Sequence, residues 1–119
     1  MGIVYYANYL RFFEIGRTEF VRARGGLYRA MEQDGLMLPV TEVGAKYLAS
    51  ARYDDVLRIC TRVQDLGHAT LTFEYRLERE GDDVLLCKGF TKHACLNRAT
   101  GRITRMPDVV RGWVDPPTT

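Results

Sequence analysis

The sequence predicts an α+β domain in which one long central helix is wrapped by an antiparallel β-sheet. An N-terminal stretch carries apolar residues at helical spacing on nearly all sides, and most of the later chain alternates apolar and polar residues with the period of strands. At 119 residues the chain is long enough for one domain with one core. We assign residues 1–114 to this domain and residues 115–119 to a C-terminal tail.

The helix is predicted from about Asn8 to Arg24, with Asn8 as its N-cap and Gly25-Gly26 at its end. One face repeats at steps of four, three and four residues: Tyr9, Phe13, Gly16 and Phe20. Other faces are apolar as well, which is typical of a buried helix. One flat sheet cannot cover such a helix, so either the sheet curls around it or a second subunit covers it.

A short helical segment, Leu27 to Asp34, is predicted before the strands begin at Gly35. The first predicted strand, Leu36 to Ser50, is expected to bend near Gly44. The others are Leu57–Gln64, Thr70–Glu78, Val84–Leu96 and a short strand at Ile103. Hairpins are predicted at Gly67 and at Glu80–Asp83, and a turn at Asn97–Arg102. Pro107 is predicted to start a short helix that carries Trp113.

Composition argues against several functions. The net charge of +2 is too small for bulk nucleic-acid binding, and neither a membrane span nor a signal peptide is visible. Cys60, Cys87 and Cys95 form no CxxC pair, which predicts reduced thiols in a cytoplasmic protein. We expect no metal and no cofactor. The chain has neither a P-loop nor a GxGxxG motif, so phosphates of a ligand would be held by side chains at the surface.

The segment from Gly2 to Glu14 is unusually aromatic for the start of a helix. It matches the pattern G-[IV]-V-[YW]-x-x-x-Y followed by F-E-x-x-R at Gly2, Val4, Tyr5, Tyr9, Phe13, Glu14 and Arg17. The run from Lys46 to Asp55 is similar to K-Y-x-x-P-A-R-x-D-D. On these motifs, over about residues 2–107, the chain resembles the 4-hydroxybenzoyl-CoA thioesterase-like hotdog family.

This resemblance implies a hotdog fold and an acyl-CoA thioesterase that hydrolyses an aryl- or short-chain acyl-CoA. In the family, the backbone N–H of the residue matching Tyr6 lies at the helix N-terminus and points at the thioester carbonyl, so Tyr6 is the predicted catalytic residue. The predicted substrate-binding residues are Gly2, Val4, Tyr5, Asn8 and Tyr9. The predicted contacts to the phosphates of coenzyme A are Lys88, Arg98 and Arg102.

The family's catalytic Asp lies a few residues before the position of Gly2, and the resemblance places it two positions upstream of Met1. The first strand of the fold, which normally precedes that Asp, is also missing from the sequence. Three explanations stay open: a start assigned at an internal methionine, a truncation, or a natural short form that binds without hydrolysis.

Other candidate catalytic groups have structural interpretations. Glu14 is predicted to form an ion pair with Arg17 in the core. Asp54-Asp55 is interpreted as a turn, His68 as solvated and His93 as a structural histidine in a strand. His93 and Cys95 could share a face, but nothing orients them as a nucleophilic pair.

Two further functions remain as alternatives to hydrolysis: a hotdog module that binds acyl-CoA without turnover, and a hotdog dehydratase. The dehydratase ranks last, because Tyr6 stands where that chemistry would place a histidine. We expect a homodimer or homotetramer with its active site at the subunit interface, since an open sheet edge tends to be covered or paired.

Overall fold

A computed structural model describes residues 7–24, 33–52 and 54–114 of the chain. Helix α1 covers Ala7–Ala23 and a short helix α2 covers Asp108–Arg111. The strands are β1 Leu36–Met37, β2 Val40–Tyr47, β3 Leu57–Leu66, β4 Thr70–Arg79, β5 Leu85–Ala94 and β6 Leu96–Asn97. The described part of the chain is therefore a mixed α+β structure, as predicted. The predicted helix from Leu27 to Asp34 lies mostly outside the described residues, and so do Gly25 and Gly26.

The long strands form an antiparallel sheet in the order β2-β5-β4-β3, and β1 pairs with β6 in a separate two-stranded sheet. Among the described strands, β2 and β3 are thus the edges of the large sheet. The chain turns at the predicted places. Gly67 donates its N–H to the carbonyl of Thr70 at 2.9 Å, and Asp83, at φ 58°, donates to Arg79 at 2.9 Å.

Helix α1 lies on one face of the large sheet, which we call the inner face. Phe13 stacks on Tyr75 at 4.7 Å between ring centroids, and Phe20 meets Phe73 edge-on at 5.6 Å. Leu10 and Ile15, on the two flanks of the helix, are 44% and 45% exposed. The prediction that the helix is buried on nearly all sides is therefore wrong for the single chain, in which no element within residues 7–24, 33–52 and 54–114 covers these side chains.

Two predicted strands are interrupted. Leu38 and Pro39 separate β1 from β2, and Cys95 separates β5 from β6. The expected bend at Gly44 is not there, because β2 continues from Val40 to Tyr47 and its register shift lies between Val40 and Glu42. Gly44 has a different role. A Cβ atom at this position would meet the ring of Phe90, which lies over it from the neighbouring strand.

The C-terminal part of the described chain completes the core. Pro107 precedes α2, as predicted, and lies at its N-cap. Trp113 comes just after the helix and is 2% exposed. Its ring centroid lies 6.3 Å from that of Phe20 and 6.4 Å from that of Phe73. The tryptophan therefore seals the end of the sheet near the C-terminal part of α1.

The closest approach of helix and sheet gives a first prediction. Gly89 is buried, and a Cβ there would collide with the ring of Phe13 and lie 2.9 Å from the carbonyl oxygen of Gly44. Gly89→Ala should lower the free energy of unfolding by about 1–3 kcal/mol, the usual cost of overpacking a core. Urea denaturation measures this. Gly112→Ala is the matched control, because its Cβ would meet its nearest neighbour at an ordinary 3.5 Å and its φ is −72°. Equal free energies of unfolding for the two variants would contradict the close contact between Gly89 and the ring of Phe13.

Candidate active site

The N-terminus of α1 lies at one end of the inner face. The helix begins at Ala7, so Asn8 is its second residue and not its N-cap, and the Asn8 side chain is half-buried. Tyr9 is 1% exposed, and its ring lies 5.2 Å from that of Tyr47 at the end of β2. The first N–H groups of a helix have no partner within the helix and carry partial positive charge. This end of the molecule can therefore stabilise a developing oxyanion.

Four of the predicted site residues cannot be placed. Gly2, Val4, Tyr5 and Tyr6 lie outside the described residues. They precede Ala7 directly in the chain, so the main chain enters α1 through them. Their predicted roles in binding and in polarising the thioester stay predictions.

Strand β2 presents an apolar edge beside the helix N-terminus. Val40, Val43 and Tyr47 are between 41% and 48% exposed, and Leu48, which follows the strand, is 46% exposed. Val43 and Tyr47 pair in register with inner-face residues of β5, so they lie on the helix side of the sheet. Exposed apolar residues on an edge strand are a surface for association. The predicted substrate-binding Tyr9 thus borders a surface suited to a second subunit.

The three basic residues predicted to contact coenzyme A do not meet within one chain. Lys88 lies in β5 and pairs in register with Lys46 near the Tyr47 end of the sheet. Arg98 and Arg102 lie beyond the far end of β5, in the turn where the N–H of Asn97 donates to the carbonyl of Arg102. The seven strand residues from Lys88 to Ala94 span about 20 Å. Within one subunit, Lys88 therefore lies at the opposite end of β5 from Arg98 and Arg102.

A buried polar network below the helix was missed by the sequence prediction. Arg17 does not pair with Glu14, which is exposed. The Arg17 guanidinium instead donates to the Tyr75 hydroxyl at 3.3 Å and to the Thr91 hydroxyl at 3.5 Å. The two hydroxyl oxygens are 2.6 Å apart. The signal for this network was present in the alternation, since Tyr75 and Thr91 fall on inner-face positions of adjacent strands.

His93 closes this network, and burial favours its neutral form. Its Nδ1 lies 2.9 Å from the carbonyl oxygen of Leu38, and its Nε2 lies 2.9 Å from Oγ1 of Thr91. Because a carbonyl can only accept, Nδ1 carries the proton and Nε2 accepts from Thr91. Burial lowers the pKa of His93, and the positive charge of Arg17 lowers it further, while the bond to Leu38 acts in the opposite direction. With both nitrogens engaged, His93 is the structural histidine that we predicted.

The thiols and Asp55 are also structural. Burial raises the pKa of Cys87 to about 11 and also raises the pKa of Cys95, so both are protonated and poorly nucleophilic at neutral pH. The three cysteines are free, although Cys60 is only half-buried. The Asp55 carboxylate accepts from the backbone N–H of Arg52 at 2.9 Å and from Arg79 at 3.2 Å, as expected of a turn residue. His68 is exposed.

The described ranges contain neither a cluster of metal-binding side chains nor a membrane-crossing helix. No group of three or more His, Cys, Asp or Glu side chains within residues 7–24, 33–52 and 54–114 could hold a metal ion. Over the same residues, no helix has the length and apolar character needed to cross a bilayer.

Comparison with known proteins decides the family. The model of the thioesterase-like superfamily matches residues 1–114. The chain belongs to the thioesterase-like superfamily. Acyl-CoA thioesterase YbgC of Haemophilus influenzae is 33% identical over 111 residues, which are 92% of this chain and 80% of that protein. The 1,4-dihydroxy-2-naphthoyl-CoA hydrolase of Thermosynechococcus vestitus is 29% identical over 95% of this chain and 77% of that protein.

Solved structures agree with the membership of this superfamily. The crystal structure of a hypothetical protein from Thermus thermophilus superposes with a TM-score of 0.82 at 38% identity, over 95% of this chain and 85% of that one. The structural neighbours include hotdog-fold thioesterases, so the α+β arrangement described above is that of the hotdog fold. The specificity for an aryl- or short-chain acyl-CoA, and the missing first strand, stay predictions.

The neutral His93 gives a second prediction. Its folded-state pKa lies below the ordinary value of 6.5, so between these two values the unfolded chain binds more protons than the folded one. Stability should be complete above pH 6.5 and fall as the pH drops below it, by at most about 1.4 kcal/mol per pH unit. Urea unfolding between pH 7.5 and 5.5 measures the slope.

Two histidine variants separate the contribution of His93 to the pH dependence of stability from that of the other titrating groups. His93→Gln should flatten the pH dependence, whereas His68→Gln, which changes the exposed histidine, should keep the slope of the unsubstituted chain. The same slope in all three proteins would show that His93 titrates normally in the folded state.

Proposed function

We propose that the protein is an acyl-CoA thioesterase that hydrolyses an aryl- or short-chain acyl-CoA to the free acid and coenzyme A. The observation that carries this proposal is the family match over residues 1–114, whose relatives include proteins named as acyl-CoA thioesterases and hydrolases. The geometry agrees with it, because the helix N-terminus ends beside an exposed apolar edge. No cofactor is needed for this reaction.

The proposed reaction uses the start of α1 to polarise the thioester. The carbonyl oxygen accepts from the backbone N–H of Tyr6 and becomes negative as the carbonyl carbon is attacked, and the partial positive charge of the helix end stabilises it. A carboxylate upstream of Met1, in the position of the family's Asp, either deprotonates the attacking water or attacks directly. The carbon–sulfur bond then breaks, and the coenzyme A thiolate leaves and takes up a proton. Where the carboxylate attacks directly, water next hydrolyses the acyl-enzyme anhydride, which releases the free acid and restores the carboxylate.

We propose that two subunits complete each active site. If β2 pairs antiparallel with β2 of a second copy, the Tyr47 end of one strand lies beside the Val40 end of the other. This arrangement would bring the partner subunit's Arg98 and Arg102 toward the helix N-terminus and toward Lys88 of the first subunit. The three predicted coenzyme A contacts, which lie at opposite ends of β5 in one chain, would then lie at the same end of the paired sheet. Either a dimer or a tetramer made of two such dimers would contain this two-subunit site.

A thiol-release assay tests the proposal. Aryl-CoA and short-chain acyl-CoA substrates should be hydrolysed, since Tyr5 and Tyr9 would line the acyl site with aromatic rings that accept either class. The alternative is a module that binds acyl-CoA without turnover. Binding measured by calorimetry without thiol release, in a chain extended to include the Asp, would support that alternative and contradict hydrolysis.

The cytoplasmic location is a further prediction that fractionation of cells would test.

The apolar edge gives a third prediction. Val43→Asp places a charge on the exposed edge of β2 and should convert the dimer to a monomer and abolish most of the activity, because a buried unpaired charge costs several kcal/mol. Light scattering measures the mass at micromolar concentration. Val56→Asp is the matched control, since Val56 is 61% exposed against 48% for Val43 and lies outside the strands. An unchanged mass for Val43→Asp, or an equal change for both variants, would place the interface elsewhere.

A further inference from the structure

Three cationic side chains form a row across the outer face of the sheet, opposite to the helix. Lys46 of β2 is in register with Lys88 of β5, and Lys88 is in register with Arg76 of β4. All three are exposed. Directly opposed side chains on neighbouring strands have Cβ atoms about 5 Å apart, so the row is about 10 Å long at its base.

The described residues do not neutralise this row. Arg62 and Glu74 pair with each other through two hydrogen bonds of 3.1 and 3.0 Å. That pairing is the main cause of the lowered pKa of Glu74, and the charges of Lys88 and Arg76 contribute less. Within residues 7–24, 33–52 and 54–114, no ion pair includes Lys46, Arg76 or Lys88. Like charges placed directly opposite each other destabilise a sheet, so stability of the chain does not account for the row.

The row lies in an open groove of about 690 Å³, which we call the outer groove. Its charged lining consists of four cations and one carboxylate: Lys46, Arg62, Arg76, Lys88 and Glu74. Phe90 forms an apolar wall next to the row, because Gly44 has no side chain and lets the Phe90 ring lie across β2. The groove thus combines an excess of positive charge with a partly apolar boundary.

We propose that the outer groove binds a small anion with two or more linked phosphate groups. Three cations along about 10 Å suit a diphosphate better than a single phosphate, and the Arg76 guanidinium can contact phosphate oxygens in a bidentate manner. The diphosphate could be inorganic or part of a nucleotide. A second copy of the chain is a poorer occupant, since a two-fold axis through the groove would place one basic row against the other. The proposal does not depend on thioesterase activity.

Titration of the 119-residue chain with sodium pyrophosphate, followed by amide NMR and calorimetry, tests this site. Saturable changes in amide chemical shift should centre on Lys46, Arg76, Lys88 and Gly89. Arg76→Gln and Lys88→Gln should each weaken binding about tenfold, as expected for the loss of one charged hydrogen-bond donor. Arg11→Gln, which removes the same charge from the exposed side of α1, should change the affinity less than twofold.

Further titrations with ADP and with coenzyme A identify the source of the diphosphate. If ADP or coenzyme A binds more tightly than pyrophosphate, and if Arg76→Gln weakens that binding in the same way, the site is assigned to a nucleotide. If pyrophosphate binds more tightly, the site is assigned to the inorganic anion. Shifts spread over the whole surface, or equal weakening by Arg11→Gln, would overturn the proposal. A change of mass in Arg76→Gln by light scattering would overturn it as well, because the groove would then be a subunit interface. The thiol-release assay is independent of all these outcomes.

Discussion

Extending the chain upstream by two residues, an Asp and one further residue before Met1, is expected to raise the rate of acyl-CoA hydrolysis by about 10²-fold or more. The resemblance puts the family's catalytic carboxylate at this position, and a positioned general base or nucleophile commonly contributes a factor of this size or larger. The chain that starts at Met1 keeps the N-terminus of α1 and should therefore bind acyl-CoA weakly and hydrolyse it slowly.

The matched control is an extension of the same length in which only the added carboxylate is replaced. An otherwise identical chain with Asn in place of the added Asp has the same length and can still form hydrogen bonds, but it has no carboxylate. We expect its rate to be close to that of the unextended chain. If the unextended chain is as fast as the one with Asp, the catalytic group lies within residues 1–119. Glu14→Gln would then be the next variant, since Glu14 is an exposed carboxylate about two turns into the helix.

The sequence predicted the described secondary structure well where one periodicity dominated. The alternation from Thr70 to Glu78 became β4, and the helical spacing from Tyr9 to Phe20 became the buried face of α1. The prediction failed where a residue that often marks a bend in a strand has a role in packing instead. Gly44 looked like a bend, but it makes room for a ring on the adjacent strand, a contact that depends on register and not on local sequence.

Burial of the helix could not be predicted from its composition alone. Leu10 and Ile15 are apolar, but in the described part of the single chain they are nearly half exposed. A list of apolar residues does not distinguish a helix enclosed by its own sheet from one whose far side is left for another layer. The interaction of Arg17 was also misassigned. The i,i+3 spacing to Glu14 favoured a pair on the helix, whereas hydroxyl groups from two strands lie below the guanidinium.

The candidate site was predicted only as far as the family motif reached. The motif located the helix start, where the structure places Asn8 and Tyr9. It could not show that Lys88 is separated from Arg98 and Arg102, because that separation follows from the length of β5. It also gave no indication of the basic row on the outer face, whose members come from three strands that are distant in sequence.

The backbone at Tyr6 offers the most direct test of the proposed chemistry. Tyr6→Pro removes the N–H that is proposed to polarise the thioester, and proline is tolerated at the start of a helix, so the fold should survive. Tyr6→Phe keeps that N–H and removes only the hydroxyl. In the chain extended with Asp, loss of one oxyanion donor should lower kcat by about 10² to 10³-fold in Tyr6→Pro.

Thiol release by this pair of variants is the deciding measurement. We predict that Tyr6→Phe stays within a few-fold of the unsubstituted enzyme, while Tyr6→Pro loses most of its kcat and keeps its circular dichroism spectrum. Equal activity of the two variants would show that this N–H does not stabilise the transition state. Equal loss in both would assign the effect to the tyrosine hydroxyl and contradict catalysis by the N-terminus of α1.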